Sequence, residues 1–328
     1  MRTLILLGAY FACAVSQAQD YEPPRLPDGT PNLQGLWTSA TLTTLERSSG
    51  DLVLTAAEAR AREERNSLSV EAGNRPTNPD DGAPRAGGSV GAYNQAWLDP
   101  GNRVAVVNGE YRGSLIVDPP DGRIPYSAAG RQRLAALRQR SQSTDGPEPR
   151  QLGDRCMVGY GSAGGPPMLP VLYNNNYQIV QSPGHVMILV EMNHDARIVR
   201  IGGEHPPEHV RPWLGDSIGW WEGDTLVVET TNFHPDQEYR PAILHTVYLP
   251  FDATVTERFT RVADDAILYE FAVEHPEAFT QTWRAELPLN ATAGPIFEYA
   301  CHEGNYALPS ILAGARAKAR AALEGETR

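Results

Sequence analysis

Residues 254–274 read Thr254-Val255-Thr256-Glu257-Arg258-Phe259-Thr260-Arg261-Val262-Ala263-Asp264-Asp265-Ala266-Ile267-Leu268-Tyr269-Glu270-Phe271-Ala272-Val273-Glu274. The stretch holds two runs of period two, 254–262 and 267–274, joined by a short acidic turn at Ala263-Asp264-Asp265. Ile267, Tyr269, Phe271 and Val273 fall on one side of the second run. Successive side chains of a strand point to opposite faces, so this is a half-buried strand in an antiparallel pair. In the first run the apolar side carries Val255 and Phe259, with Glu257 between them. A carboxylate on a core-facing position is paired or functional. Arg261 shares its parity and is the partner that local sequence offers.

The same pattern continues in both directions. Tyr177–Gln181 and His185–Met192 flank Ser182-Pro183-Gly184. Arg197–Ile201 stops at Gly202-Gly203, and Ile218–Trp221 and Thr225–Thr231 flank Glu222-Gly223-Asp224. Phe279, Gln281, Trp283, Ala285 and Leu287 share a face in a strand over 279–287, and Ile296–Ala300 reads as a last strand. About eight consecutive strands with tight turns predict a mainly β fold, an antiparallel meander closing into a barrel or a strongly curved sheet. Before it, Gly35-Leu36-Trp37-Thr38 reads as a strand, and Val104–Val107 and Ser114–Val117 as short ones. Thr55 with Glu58 forms a capping box for a helix to about Asn66, and a second helix is predicted over Tyr126–Gln139. Residues 71–102 are a long loop rich in Gly, Pro, Asn and Asp, and 307–323 make a closing helix. The expected organisation is one β-rich domain over 19–328, its irregular and helical part 19–150 wrapping the meander 151–328.

Arg2, the apolar stretch from Leu4 to Val15 and Ser16-Gln17-Ala18 read as a cleavable leader over residues 1–18, predicting a periplasmic or extracellular protein. The remaining chain has no run long enough for a membrane span. With 40 acidic against 28 basic residues, it is expected to bind neither nucleic acid nor anionic lipid. Lys318 is the single lysine, which excludes lysine Schiff-base chemistry and a P-loop, and no cofactor or metal is expected. Cys13 belongs to the leader. Cys156 and Cys301 are then either two separate thiols or a disulfide closing a very long loop, worth about 4–5 kcal/mol on the chain-entropy model.

Glu191-Met192-Asn193-His194-Asp195-Ala196-Arg197 is the sharpest candidate for chemistry. His194 shares strand parity with Val186, Ile188, Val190 and Met192, which predicts an imidazole at the lip of an apolar interior, suited to moving a proton. Asp195 or Glu191 would orient it, and Arg197 would neutralise developing negative charge. Alternatively, His194 caps a turn and Asp195 bonds backbone amides. Tyr173, Asn175, Tyr177, Trp221, Glu257 and His302 are candidate substrate-binding residues, because amide and aromatic groups suit phenols and sugars. His205-Pro206-Pro207-Glu208-His209 has metal-like spacing, but its prolines break the helix that would align the imidazoles. Gly215-Asp216-Ser217-Ile218-Gly219 matches a nucleophile-elbow pattern, but strands rather than a helix follow it.

The chain resembles a family of exported bacterial proteins without an assigned activity. The resemblance rests on Pro27-Asp28-Gly29-Thr30-Pro31-Asn32-Leu33-Gln34-Gly35-Leu36-Trp37, Gly165-Pro166-Pro167-Met168, the 191–197 segment, Trp221-Glu222-Gly223-Asp224-Thr225-Leu226-Val227-Val228 and Tyr299-Ala300-Cys301-His302-Glu303-Gly304-Asn305. Gly35-Leu36-Trp37 before a meander is also similar to the opening of lipocalin-like barrels, which implies an interior ligand pocket. Two functions are therefore expected. One is an exported enzyme using general acid–base chemistry on a small organic substrate, a sugar derivative or phenolic, as a lyase, isomerase or hydrolase. The other is a lipocalin-like binder of an apolar small molecule. A third possibility is an envelope protein whose 71–102 loop contacts a partner.

Overall fold

The structure, a computed structural model, describes residues 21–76, 80, 82 and 98–326. The expected leader lies outside the described residues, as does most of the 71–102 loop. In chain order the elements are β1 (Gly35–Thr38), β2 (Val53–Leu54), α1 (Ala56–Gly73), β3 (Val106–Val107), β4 (Glu110–Arg112), β5 (Ile116–Asp118), α2 (Ala128–Ser141), β6 (Asn176–Ser182), β7 (His185–Val190), β8 (Ala196–Ile201) and β9 (Asp216–Glu222). They continue with β10 (Thr225–Thr231), β11 (Tyr239–Pro241), β12 (Thr246–Tyr248), β13 (Thr254–Ala263), β14 (Ala266–Glu274), β15 (Trp283–Ala291) and α3 (Ala307–Glu326).

Nine strands close a barrel in the order β1-β6-β7-β8-β9-β10-β13-β14-β15, with β15 returning to β1 through Trp37 opposite Ala291 and Thr38 opposite Asn290. Closure removes the exposed sheet edges that an open meander would leave. The short β5 adds to β15, with Ile116 opposite Ala285. The 254–274 stretch forms the longest hairpin, with Phe259 opposite Tyr269 and Glu257 opposite Phe271. Its alternation is kept in space: Val255, Glu257, Phe259, Ile267, Tyr269, Phe271 and Val273 are all buried.

The barrel is mixed rather than wholly antiparallel, because β8 and β9 run parallel, Val199 opposite Ser217 and Ile201 opposite Gly219. Residues 202–215 separate them, containing Gly202, Gly203, Pro206, Pro207 and Pro212. That segment is too long and too proline-rich for a hairpin, so it carries the chain back along the barrel and β9 starts at the same end as β8. Three further boundaries differ from expectation. The strand predicted over 279–287 begins only at Trp283, because 275–282 turns with Phe279 bonding back to His275. Residues 296–300 are not a strand; their backbone is engaged by the β7–β8 turn instead. The first helix, capped by Thr55 and Glu58 as its sequence implies, extends past Asn66 to Gly73.

The barrel interior, where the lipocalin-like resemblance implies a ligand pocket, is occupied by core side chains. Trp37, Tyr177, Phe259, Tyr269 and Trp283 fill its centre, each buried to 2 % exposure or less. One end, where β6, β8, β13 and β15 begin, is stoppered by residues 158–175 and 232–253. Met168, Leu169, Phe233, Val247 and Leu249 insert there as continuous core. Among the described residues no helix is long and apolar enough to cross a membrane.

Candidate functional site

The residues singled out by sequence fall into three places. The first is the centre of the barrel. Glu257 pairs with Arg197, whose Nη1 lies 3.0 Å from Oε1 while Nη2 bonds Oε2, and the two side chains are 0 and 1 % exposed. The Tyr269 hydroxyl donates to Glu257 Oε1 at 2.6 Å and accepts from the Met168 amide at 2.8 Å. Burial works against the Arg197 charge, and the carboxylate of Glu257 outweighs it, holding the guanidinium firmly protonated. Burial, and then the Glu257 charge, push the Tyr269 phenol well up. Arg261, the partner offered by strand parity, instead donates to the carbonyls of Asn32, Ala263 and Asp264 and lies over the Trp37 ring at 5.5 Å. Arg197 thus sits inside the barrel, away from His194, and is occupied by Glu257. Tyr177 is in the same interior, its hydroxyl donating to the Ala163 carbonyl at 2.9 Å.

The second place is the turn between β7 and β8. Strand β7 ends at Val190, and a 3-10 turn over Met192–His194 follows, with positive φ of 63° at Asn193 and 55° at His194. This turn breaks the parity that would have carried His194 inward. His194 is exposed, and its Nε2 accepts the Tyr299 amide at 3.1 Å. Glu191 is buried and accepts the Phe297 amide at 2.9 Å and the Asn176 side-chain amide at 2.8 Å. Asp195 Oδ2 accepts the Gly159 amide at 3.0 Å; burial nevertheless raises its pKa, the bonds from Gly159 and Asn193 and the nearby His194 opposing. The motif is therefore a clasp. Glu191 and His194 hold residues 297–299, Asp195 holds the loop at 159, and these two segments carry Cys301 and Cys156. The cysteines form a disulfide with Cα atoms 5.7 Å apart. His302 is exposed beside it. His194 thus holds a segment distant in sequence rather than capping its own turn, and Asp195 bonds one backbone amide, that of Gly159. Replacing His194 by Ala is expected to lower stability by about 1 kcal/mol, one net hydrogen bond at an exposed site, read from a denaturant titration.

The third place is a pair of surface clefts at opposite ends of the barrel. At the stoppered end a cleft of about 430 Å³ is walled by Tyr160, Val171, Tyr173, Met192, Ala242 and Ile243, and among the described residues no charged side chain lines it. The clasp positions this wall. Tyr160 follows the Asp195-bound Gly159, its amide meets Met192 Sδ at 3.2 Å and its hydroxyl donates to Asp154 at 3.2 Å. Burial, then the Asp154 charge, push the Tyr160 phenol up. Tyr173 stacks on Tyr299 with centroids 6.3 Å apart. Asn175 does not reach the cleft: it is buried, and its amide closes the 171–175 turn by bonding Val171 N and O and Asp99 O. At the other end Trp221 lines a second cleft of about 430 Å³ with Leu26, Asp28, Gln34, Gln181 and Ile201, whose lining includes a carboxylate and side-chain amides. His205 takes part in an ion-pair group on the outside of β8 to β10, its Nδ1 2.7 Å from Asp216 and Nε2 3.3 Å from Glu229; His209 is exposed. Among the described residues no cluster of three potential metal ligands occurs.

Sequence reasoning missed Arg240, His245 and the Pro241-Ala242-Ile243 lip. The available signal was an arginine and a histidine isolated in the otherwise uncharged stretch 239–251. Both are buried at the barrel stopper. Burial, with the charge of Arg240 adding, pushes the His245 imidazole down to about 4, despite a bond to the Pro170 carbonyl that opposes it. It is neutral, and its Nε2 accepts the Ser162 amide at 3.3 Å. No protein-family model, curated protein or solved structure matches the chain.

Proposed function

We propose that the protein binds a small, mostly apolar organic molecule in the cleft of Tyr160, Tyr173, Met192 and Ile243 at the stoppered end of the barrel. One observation carries this reading: a concavity of about 430 Å³ walled by apolar and aromatic side chains, with Ile243 83 % exposed at its lip. That volume is typical of small-molecule sites, and an isoleucine left so bare gains by being covered. The phenolic class expected from sequence suits it, since a flat ring can lie against Tyr173. Binding is favoured over acid–base catalysis by the surroundings of His194. Its ring is exposed and bonded to a backbone amide, Arg197 is committed to Glu257, and Glu191 is committed to Phe297 and Asn176. We place the protein outside the cytoplasm, because the Cys156–Cys301 disulfide belongs in an oxidising compartment.

Equilibrium dialysis with 2-naphthalenemethanol, a neutral aromatic probe, tests the reading. Saturable one-site binding is expected. Tyr173→Ala is expected to weaken it about tenfold by loss of a stacking face, and His194→Ala, which acts on the wall only through the Tyr299 amide, to change it by less than about threefold. Absence of saturation in the wild type, or an unaltered Kd in Tyr173→Ala, overturns it. A His194→Ala variant that abolished binding would return the weight to the 191–197 segment.

A further inference from the structure

We infer that the molecule held in this cleft is a carboxylic acid, its carboxylate received by Arg240 beneath the cleft floor; this rests on the binding reading above. Arg240 lies in β11, immediately before the Pro241-Ala242-Ile243 lip, and is 3 % exposed. Its Nε donates to the Gln237 carbonyl at 3.0 Å. Its Nη1 donates to the Pro166 carbonyl at 2.6 Å and to Ser162 Oγ at 3.2 Å, and its guanidinium carbon lies 5.2 Å from the Phe233 ring centroid. Every one of these partners is neutral. Nη2 is buried and has no hydrogen-bond partner among the described protein atoms.

The charge balance around Arg240 is equally one-sided. The buried ionised groups that act on it are Arg197, which repels it, and Glu257, whose oxygens are already taken by Arg197 and Tyr269. His245 beside it is neutral, and the nearby Glu238 bonds Arg133 at 2.7 Å. Asp195, a further partly buried carboxylate against the 159–165 loop, bonds the Gly159 amide, so among the described residues no carboxylate is bonded to Arg240. A buried charge without a counter-ion is costly, and a buried donor without an acceptor adds to the cost. An anion bearing an oxygen acceptor answers both.

Geometry limits which anion. A slot of about 10 Å³ runs between residues 151–161 and 237–241, lined by Arg240 together with Gly159, Tyr160 and Gly161. It adjoins the aromatic cleft, sharing Gln151, Tyr160 and Pro241 with it. Gly161 keeps the slot's wall close to the barrel stopper: a Cβ there would sit 2.6 Å from Ala242 Cβ and 2.8 Å from His245 Nε2. Space on the scale of one water oxygen admits one oxygen of a planar carboxylate and no ring. The ring or chain of the molecule therefore stays in the cleft while its acid group points at the guanidinium. A sulfonate or phosphate that presents one oxygen to the slot carries two more out of its plane at the mouth, where the flat carboxylate carries one.

The test compares 2-naphthoate with 2-naphthalenemethanol and naphthalene-2-sulfonate in equilibrium dialysis at pH 7. A charge-assisted hydrogen bond predicts that the wild type prefers the carboxylate to the alcohol by roughly 10- to 100-fold, with the sulfonate no better than the alcohol. In Arg240→Gln, with near-ultraviolet circular dichroism reporting native packing, the carboxylate and alcohol Kd values are expected to converge to within about threefold. If that variant does not fold, the wild-type series decides by itself. Equal binding of carboxylate and alcohol overturns the inference and leaves the cleft reading standing. Binding of neither overturns both. A carboxylate preference that persists in folded Arg240→Gln overturns the assignment to Arg240, and a sulfonate bound as tightly as the carboxylate overturns the slot geometry.

Discussion

Glu257→Ala will cost the fold about 3–5 kcal/mol, the effect expected when one member of a buried ion pair is removed. The variant leaves Arg197 charged inside the barrel with its Nη groups unbonded, and it strips the Tyr269 hydroxyl of its acceptor. Against a typical net stability of about 5–15 kcal/mol, such a loss removes a large share of the total. Guanidinium unfolding followed by tryptophan fluorescence will show it as a lower midpoint, since Trp37 and Trp283 sit in the same core. Arg197→Met/Glu257→Leu separates the pair's net worth from the penalty of an orphaned charge. Removing both charges is expected to restore most of the lost stability, because an apolar pair of similar volume is close to neutral in such a site. If the double variant is as unstable as Glu257→Ala, the pair stabilises the barrel outright. If Glu257→Ala loses less than about 1 kcal/mol, the carboxylate is not the counter-ion of Arg197.

The same residues mark how far the sequence speaks for the structure. Strand alternation is a local property, so Ile267, Tyr269, Phe271 and Val273 were legible as one buried face, and Glu257 as a carboxylate turned inward. Its partner was not legible. Arg261 is four residues away and of the right parity, whereas Arg197 is sixty residues distant and comes from a strand that meets Glu257 only when the barrel closes. His194 failed for a different reason. Parity arguments hold only while a strand continues, and two left-handed residues, Asn193 and His194, end it. Turn geometry of that kind leaves a weak trace in sequence, here an asparagine. The parallel β8–β9 pair was hinted at by the glycines and prolines of 202–215, which exclude a tight hairpin. Of the cleft, Tyr173 stood out by its aromatic and amide neighbours. Tyr160 was hidden in a glycine-rich run and the 241–243 lip in an apolar one, because neither segment has a period of its own. Loops acquire a role from the elements they cover, and that covering is decided by the folded topology.

Replacing both Cys156 and Cys301 by Ser will lower the free energy of unfolding by about 5 kcal/mol at most, the chain-entropy value for a cross-link spanning 145 residues. The magnitude decides between two descriptions of the clasp. The bonds that Glu191, His194 and Asp195 accept from the Phe297, Tyr299 and Gly159 amides are each worth about 1 kcal/mol net. Together they are comparable to the disulfide in the folded protein, so they are expected to keep both segments in place once it is gone. The loss then falls on the unfolded chain, which gains the freedom that the cross-link denied it, and the native cleft persists. Two measurements read this separately. The guanidinium midpoint of the double Ser variant drops, and the drop is matched by wild type held reduced with dithiothreitol. The affinity for 2-naphthalenemethanol below the transition changes by less than about threefold, because Asp195 still holds Gly159 and with it Tyr160. A variant that loses the ligand while its barrel remains folded would show that the covalent bond, rather than the 191–195 turn, sets the wall of the cleft. A variant with an unchanged midpoint would mean that the two segments stay associated in the unfolded chain without it.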